Sequence, residues 1–139
     1  MAAVFSELTD LIPSIAPENY GKWIIDREND GSEEHPIQMP YVSYSVPIEN
    51  FIDTLYRFCE SHPEYEHTKY HDTLAGYGIE WNDQSMETAD VSHMDAKGII
   101  ALLIGAVRAE RFCDGALLQI LNSGSILRWL ERLAAIDKE

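Results

Sequence analysis

Cysteine is scarce in this sequence: the 139 residues include only Cys59 and Cys113. Two cysteines are too few for a disulfide framework, and they lack the paired spacing of zinc ligands. Free cysteines are typical of a reducing compartment, so we expect a cytoplasmic protein. A basic leader followed by a long apolar stretch is also missing, so the sequence predicts no signal peptide.

Positive charge is scarce as well, with 10 Lys and Arg against 24 Asp and Glu and a net charge of −14. The imbalance lies in residues 1–94, which hold eighteen acidic and four basic residues, whereas residues 95–139 hold six of each. A negative field repels nucleic acids and acidic membranes and attracts basic proteins. We therefore expect a basic protein partner, no direct nucleic-acid contact and no membrane binding. The other interpretation, which we favour for the charge taken by itself, is that the acidic residues only keep the protein soluble.

Sequence motifs of several common enzyme classes are missing too. There is no glycine-rich phosphate loop, no Ser-His-Asp arrangement and no basic stripe for nucleic acid. We expect no cofactor. The longest apolar run, residues 98–107, is about half the ~20 residues that a membrane-spanning helix needs.

That apolar run predicts the centre of the fold. Ser92 stands where an N-cap belongs, Asp95 follows at capping-box distance, and Gly115 can end a helix at its C-terminus. These signals predict a helix over residues 93–112. Because its middle is apolar on every face, other elements should surround it.

The rest of the chain predicts a mainly α (α+β) protein, a single compact helical domain over residues 1–139. A small antiparallel hairpin should pair residues 20–26 with residues 41–46, both rich in aromatic and β-branched residues. Residues 79–85 read as an extended piece and a turn. The other helices are predicted within residues 4–15, 48–60, 65–75 and 126–136, the last with Ser125 as its N-cap and preceded by an apolar segment at 116–121.

Several motifs resemble those of a family of short, uncharacterised proteins from bacterial and mobile-element genomes. They are the segments at residues 90–96, 108–118 and 124–133, with further similarity at 21–26 and 35–42. The resemblance covers most of the chain and brings no assigned activity. Small proteins of mobile elements often bind a host factor, so it implies an inhibitor or adaptor by analogy only.

The segment Arg-Ala-Glu-Arg-Phe-Cys-Asp carries the candidate catalytic residues Arg108, Glu110, Arg111 and Asp114. On a helix the two arginines could bind a phosphate or carboxylate, and the two acids could transfer protons or hold a metal. Asp90 and Asp95 would support them, which makes a small enzyme or ligand-binding protein the alternative function. We favour a structural interpretation, in which the cluster forms ion pairs at the end of a buried helix.

The first-ranked function is instead a binding protein that docks an acidic surface onto a basic partner, such as a nucleic-acid-handling protein. The candidate binding residues are Asp26, Glu28, Asp30, Glu33, Glu34, Trp23 and Tyr44.

Three further features have a functional and a structural interpretation, and we favour the structural one each time. Cys113 could be a nucleophile, but we expect a small buried residue. His67 and His71, four apart, could hold a metal, but we expect solvated histidines. The aromatic set could line a pocket, but we expect it to cover the small sheet. That set is Tyr20, Trp23, Tyr41, Tyr44 and Trp81.

Overall fold

The computed structural model describes residues 4–15, 20–25, 31–34, 36 and 41–138, without the side chain of Asp83. In chain order the α-helices are α1 (Ser6–Thr9), α2 (Val46–Ser61), α3 (Tyr70–Gly76), α4 (Asp83–Thr88), α5 (Ala96–Ala109), α6 (Ala116–Asn122) and α7 (Ser125–Asp137). Strands β1 (Gly21–Ile24) and β2 (Tyr41–Tyr44) form an antiparallel pair. Short 3-10 helices cover Ile12–Ser14, Pro63–Tyr65 and His67–Lys69. The predicted fold class, mainly α with a small hairpin, is confirmed.

Helix α5 is the buried centre of the fold. Every residue from 98 to 107 is buried, and Ile100, Leu103 and Ile104 are 0% exposed. Helices α3, α6 and α7 pack against it. The prediction of a core helix surrounded by protein is confirmed, since each face of an apolar helix must find another apolar surface.

The ends of this central helix differ from the prediction of residues 93–112. Ser92 is not the N-cap: its backbone N–H and hydroxyl both donate to the Asp90 carboxylate, at 3.0 and 2.6 Å. Asp95 is the N-cap, and its carboxylate accepts the Gly98 N–H at 3.1 Å. After Ala109 the chain leaves the helix through tight turns, in which Arg111 N–H donates to the Arg108 carbonyl. Helix α5 therefore has 14 residues.

The hairpin pairs Gly21 with Tyr44 at one end and Ile24 with Tyr41 at the other. Both strands are shorter than predicted. Val42 is buried in the core, as an inward-facing strand residue should be. Trp23, its cross-strand partner, is 46% exposed.

The N-terminal segment forms less helix than its apolar spacing predicts. Helix α1 spans only four residues, and the chain then makes the 3-10 turn that contains Pro13. The segment is held to the far end of the chain, since the Val4 and Phe5 N–H groups donate to the Asp137 carboxylate, each at 3.0 Å.

Helix α2 follows its prediction closely. It has Pro47 in its first turn and buries one apolar face. It packs mainly on α1, and it meets α5 where Arg108 lies over the ring of Tyr56.

Three local predictions in the second half are wrong. The helix predicted at residues 65–75 begins only at Tyr70, because Glu66 has a left-handed backbone with φ of 49°. Helix α4 forms where a turn was expected, and the Asn82 side chain caps it by accepting the Ser85 N–H at 2.8 Å. Gly124, not Ser125, is the N-cap of α7, and Ser125 is the first residue of the helix and is buried.

The buried apolar residues of the described segments form one hydrophobic cluster, to which α1, α2, α5, α6 and α7 all contribute. None of the helices in these segments combines the length and the apolar character that crossing a lipid bilayer requires.

Candidate functional site

An apolar cleft of about 610 Å³ lies between β1, α4, α6 and the turn that joins α5 to α6. Its volume is within the range of ~300–1,000 Å³ typical of ligand pockets. It is lined by Trp23, Trp81, Asn82, Met86, Ala109, Phe112, Cys113, Asp114, Gly115, Ala116, Leu118, Gln119, Ile120 and Asn122. We name it the aromatic cleft.

Three aromatic side chains form the most prominent part of its wall. Phe112 is 76% exposed, Trp23 is 46% exposed, and Trp81 is half-buried and packs against the core. Phe112 meets Trp81 edge to face, with ring centroids 5.4 Å apart. The indole N–H of Trp81 points away from solvent and donates to the Gly105 carbonyl at 2.9 Å. Large apolar side chains left in water around a cleft are typical of interaction surfaces.

Gly115 sets the position of the Trp23 wall. It has a φ of 90°, which side chains with a Cβ rarely adopt, and a Cβ built there would lie 2.3 Å from Trp23 Cζ2. The indole therefore packs directly against the backbone at Gly115. A glycine is needed here for two reasons: the turn into α6 and the close approach of the ring.

Glu110 holds the turn between α5 and α6 in place through hydrogen bonds. Its carboxylate accepts the Gly115 N–H at 2.9 Å, the Leu117 N–H at 3.0 Å and the Tyr44 hydroxyl at 2.6 Å. The Tyr44 oxygen in turn accepts the Leu118 N–H at 3.1 Å. We call the Glu110 carboxylate and the Tyr44 hydroxyl the Glu110–Tyr44 clasp. The clasp satisfies backbone donors at the start of α6 and ties the helix to β2.

Burial, together with the hydrogen bond to Glu110, raises the pKa of Tyr44 well above its usual value of 10.0. A phenol is protonated at neutral pH even without this shift, and the raised pKa extends its hydrogen bond to Glu110 into the alkaline range. The clasp keeps one hydrogen-bonding arrangement, which holds this side of the cleft in place.

The rim of the aromatic cleft is polar and acidic. Asp114 is exposed and makes no ion pair with any residue that the structure describes. Asn82, which also lines the cleft, donates its side-chain amide to the Glu80 carboxylate at 3.1 Å. None of the residues that line the cleft in the described part of the chain is Lys or Arg.

The Arg-Glu-Arg-Asp segment does not converge on a site, and the ion-pair network that we favoured is wrong too. Arg108 is half-buried, with its guanidinium 5.9 Å from the centre of the Tyr56 ring. Arg111 is exposed, and the Glu110 carboxylate is taken up by the clasp. Across the described segments, none of these residues forms an ion pair. The physical reason is that α5 ends at Ala109, before Glu110, Arg111 and Asp114, so the helical spacing that would align them with Arg108 does not apply.

The supporting acids lie apart from this segment. Asp90 is exposed, and its bonds to Ser92 lower its pKa. It borders two smaller cavities, of about 540 and 460 Å³. Asp95 caps α5 and accepts a hydrogen bond from the Tyr77 hydroxyl.

Cys113 is exposed and lines the aromatic cleft, so the prediction of a buried residue is wrong. It lies beyond the end of α5, in the turn, where its side chain faces solvent and not the core. Cys59 is the buried cysteine, and burial raises its pKa to about 12.

His67 and His71 lie in different elements, the 3-10 turn and α3, so they do not share a helical face. His71 is exposed and lies 5.6 Å from the Trp81 ring. Among the described residues no three His, Cys, Asp or Glu side chains are grouped as metal ligands.

The predicted binding residues divide into three groups. Trp23 lines the aromatic cleft, and Tyr44 belongs to the clasp behind it. Glu33 and Glu34 are exposed. The remaining three, Asp26, Glu28 and Asp30, lie outside the described residues.

The members of the aromatic set lie in different environments. Trp23 and Trp81 line the cleft, as the pocket interpretation predicts. Tyr44 belongs to the clasp, Tyr20 is buried in the core and Tyr41 is exposed.

Phe112 and one face of α6 belong to the site but were not predicted from the sequence. Ala116, Gln119 and Asn122 line the cleft, and they recur every third residue between the buried leucines and isoleucines of α6. This small and polar stripe was the signal available. Phe112 stands among charged residues, but the predicted helix boundary placed it inside α5.

Comparison with known proteins places the chain in a family but adds no activity. No curated protein and no solved structure is similar enough to match it. One family model matches residues 1–139 and is described as a family of unknown function. The similarity to uncharacterised proteins suggested by the sequence motifs is confirmed at that level: this chain belongs to the DUF6508 family.

Proposed function

We propose that this protein is a binding protein that docks onto a basic partner protein, with the aromatic cleft at the centre of the contact. The observation that carries the proposal is the cleft itself, where exposed Phe112 and Trp23 stand over apolar walls beside Asp114. Aromatic anchors in a pocket with a polar rim are the features that dominate binding energy at protein interfaces.

The charge of the chain supports the same partner. A net charge of −14 steers a basic surface toward the protein and raises the association rate at low ionic strength. It also disfavours direct binding to nucleic acid or to an acidic membrane surface. Docking onto a nucleic-acid-handling protein would cover its phosphate-binding surface, so the expected consequence is inhibition. A cytoplasmic setting and a bacterial or mobile-element origin belong to this proposal.

The contacts of the candidate catalytic residues favour the binding protein over the enzyme alternative. Proton transfer or phosphate binding would need Arg108, Glu110, Arg111 and Asp114 to point into one open cleft, and of these four only Asp114 lines the aromatic cleft. Glu110 instead accepts three backbone and phenol donors, and neither arginine lines the aromatic cleft.

The test is capture of partners from a bacterial lysate by the immobilised protein at 50 mM and 300 mM salt, concentrations chosen to bracket physiological screening. We expect a basic protein to be retained at low salt and released at high salt. Phe112→Ser should abolish its retention. Val46→Ser is the matched control, because Val46 is exposed to 67% but lies at the start of α2, outside the cleft.

Two results would contradict the proposal. One is recovery of no basic protein at low salt. The other is equal loss of binding in Phe112→Ser and Val46→Ser, which would show that apolar exposure in general, and not the cleft, causes retention.

A further inference from the structure

We infer that the aromatic cleft receives an arginine side chain of the partner, flanked by apolar residues, and that Trp23, Trp81, Phe112 and Asp114 recognise it. This inference rests on the proposed function and names the chemical group that the cleft selects. Three features of the described residues support it: the aromatic walls, the charge at the rim and the fixed geometry.

The aromatic walls suit a flat cation. Guanidinium groups are attracted to the faces of aromatic rings, most strongly those of tryptophan, within about 6 Å of the ring centre. Trp23 and Phe112 both present ring surface to solvent at the cleft. The Trp81 N–H is already used by the Gly105 carbonyl, so this ring offers apolar and π surface to a ligand and no free donor.

The charge at the rim has the sign that an arginine requires. Asp114 lines the cleft, is exposed and has no ion-pair partner among the described residues. Glu80 adds a second carboxylate beside Asn82. Arg111 is the sequence neighbour of Phe112, but it does not line the cleft. A guanidinium could therefore pair with a carboxylate at the rim while its alkyl stem contacts the apolar wall.

The site is also held in shape before any ligand binds. The Trp23 ring packs on Gly115, the Gly115 and Leu117 N–H groups are fixed by Glu110, and Trp81 is tied to the core through Gly105. Such preorganisation reduces the entropy lost on binding. Arginine is favoured over lysine because a planar guanidinium stacks on rings and binds a carboxylate with two hydrogen bonds, whereas an ammonium group is compact and strongly hydrated.

The experiment titrates the whole protein with three short synthetic peptides, acetyl-Leu-Xaa-Leu-amide, in which Xaa is arginine, lysine or citrulline. Citrulline keeps the shape of arginine and removes its charge. Tryptophan fluorescence reports binding, because Trp23 and Trp81 line the cleft and Trp129 is fully buried. We expect the arginine peptide to bind about tenfold more tightly than the citrulline peptide, with the lysine peptide between them.

Asp114→Asn should weaken the arginine peptide by about threefold to fivefold and leave the citrulline peptide unchanged. Glu60→Gln is the matched control: it removes an equal charge from an exposed position in α2 and should change neither affinity. Phe112→Ala should weaken all three peptides.

Equal affinity for the arginine and citrulline peptides would overturn the inference. If the cleft-dependent capture of a basic protein persists in that case, the proposed function stands and only the arginine assignment fails. Selective arginine binding without any captured protein would support the arginine assignment and contradict the proposed function. Analytical ultracentrifugation tests the other occupant: a dimer that Phe112→Ser converts to monomer would show that a second copy fills the cleft, and would overturn the inference.

Discussion

Replacement of Glu110 should destabilise the protein more than replacement of any exposed acidic residue. Its carboxylate accepts hydrogen bonds from Gly115 N–H, Leu117 N–H and the Tyr44 hydroxyl. A protected hydrogen bond to a charged group contributes about 1.5–3 kcal/mol. Because the site is only half-buried, water can replace part of each bond. We therefore expect Glu110→Ala to cost about 3 kcal/mol of the ~5–15 kcal/mol that stabilises a domain of this size.

The clasp also predicts a coupling between two distant positions of the chain. Tyr44→Phe removes the phenol that donates to Glu110 and accepts the Leu118 N–H, and should cost about 1–2 kcal/mol. Because the two side chains share a hydrogen bond, the double variant should lose about 1 kcal/mol less than the sum of the single losses.

Urea denaturation, followed by circular dichroism and by tryptophan fluorescence, measures these free energies of unfolding. Glu60→Gln, on the exposed face of α2, is the control and should stay within about 0.5 kcal/mol of the parent. If Glu110→Ala unfolds at the midpoint of the parent, the clasp does not contribute to stability. If the two losses simply add, Glu110 and Tyr44 do not stabilise the protein as a pair. Either result contradicts the predicted role of the clasp at the start of α6.

Three further predictions concern the turn, the thiols and alkaline pH. Gly115→Ala should cost about 1–3 kcal/mol and change tryptophan emission, because the new Cβ would meet Trp23 at a φ of 90°; unchanged emission would contradict this. A thiol reagent should modify Cys113 in the folded protein and Cys59 only after unfolding, so native mass spectra should show one adduct. Stability should decline above pH ~10, where the unfolded chain loses tyrosine protons that the folded chain keeps, and Tyr44→Phe should flatten this decline in urea midpoints.

Hydrophobic patterning in the sequence determined the architecture. The apolar run at residues 98–107 could only be a buried helix, and the apolar faces of α2 and α7 allowed both helices to be predicted near their observed bounds. Burial of apolar surface is the dominant favourable contribution to folding, and the spacing of apolar residues along the sequence predicts which faces are buried. The aromatic and β-branched segments likewise predicted the hairpin.

Side-chain partners at the ends of elements were decided by tertiary structure. Three polar residues show this. Ser92 was predicted as the N-cap of α5 but bonds to Asp90, and Asp95 caps the helix instead. Ser125 was predicted as the N-cap of α7 but is its buried first residue. Capping groups differ little in intrinsic preference, so the surrounding fold selects among neighbours.

The site depended on those boundaries. Because α5 ends at Ala109, Glu110 turns back to hold the start of α6, and Phe112 and Cys113 face the cleft, not the core. The sequence by itself determined that the chain is acidic and mainly helical, that its charges are exposed and that it carries a set of aromatic residues. Which aromatic residues meet, and which acid stands beside them, follows from contacts between β1, α4 and α6 that are distant in sequence, and only the tertiary structure could decide them.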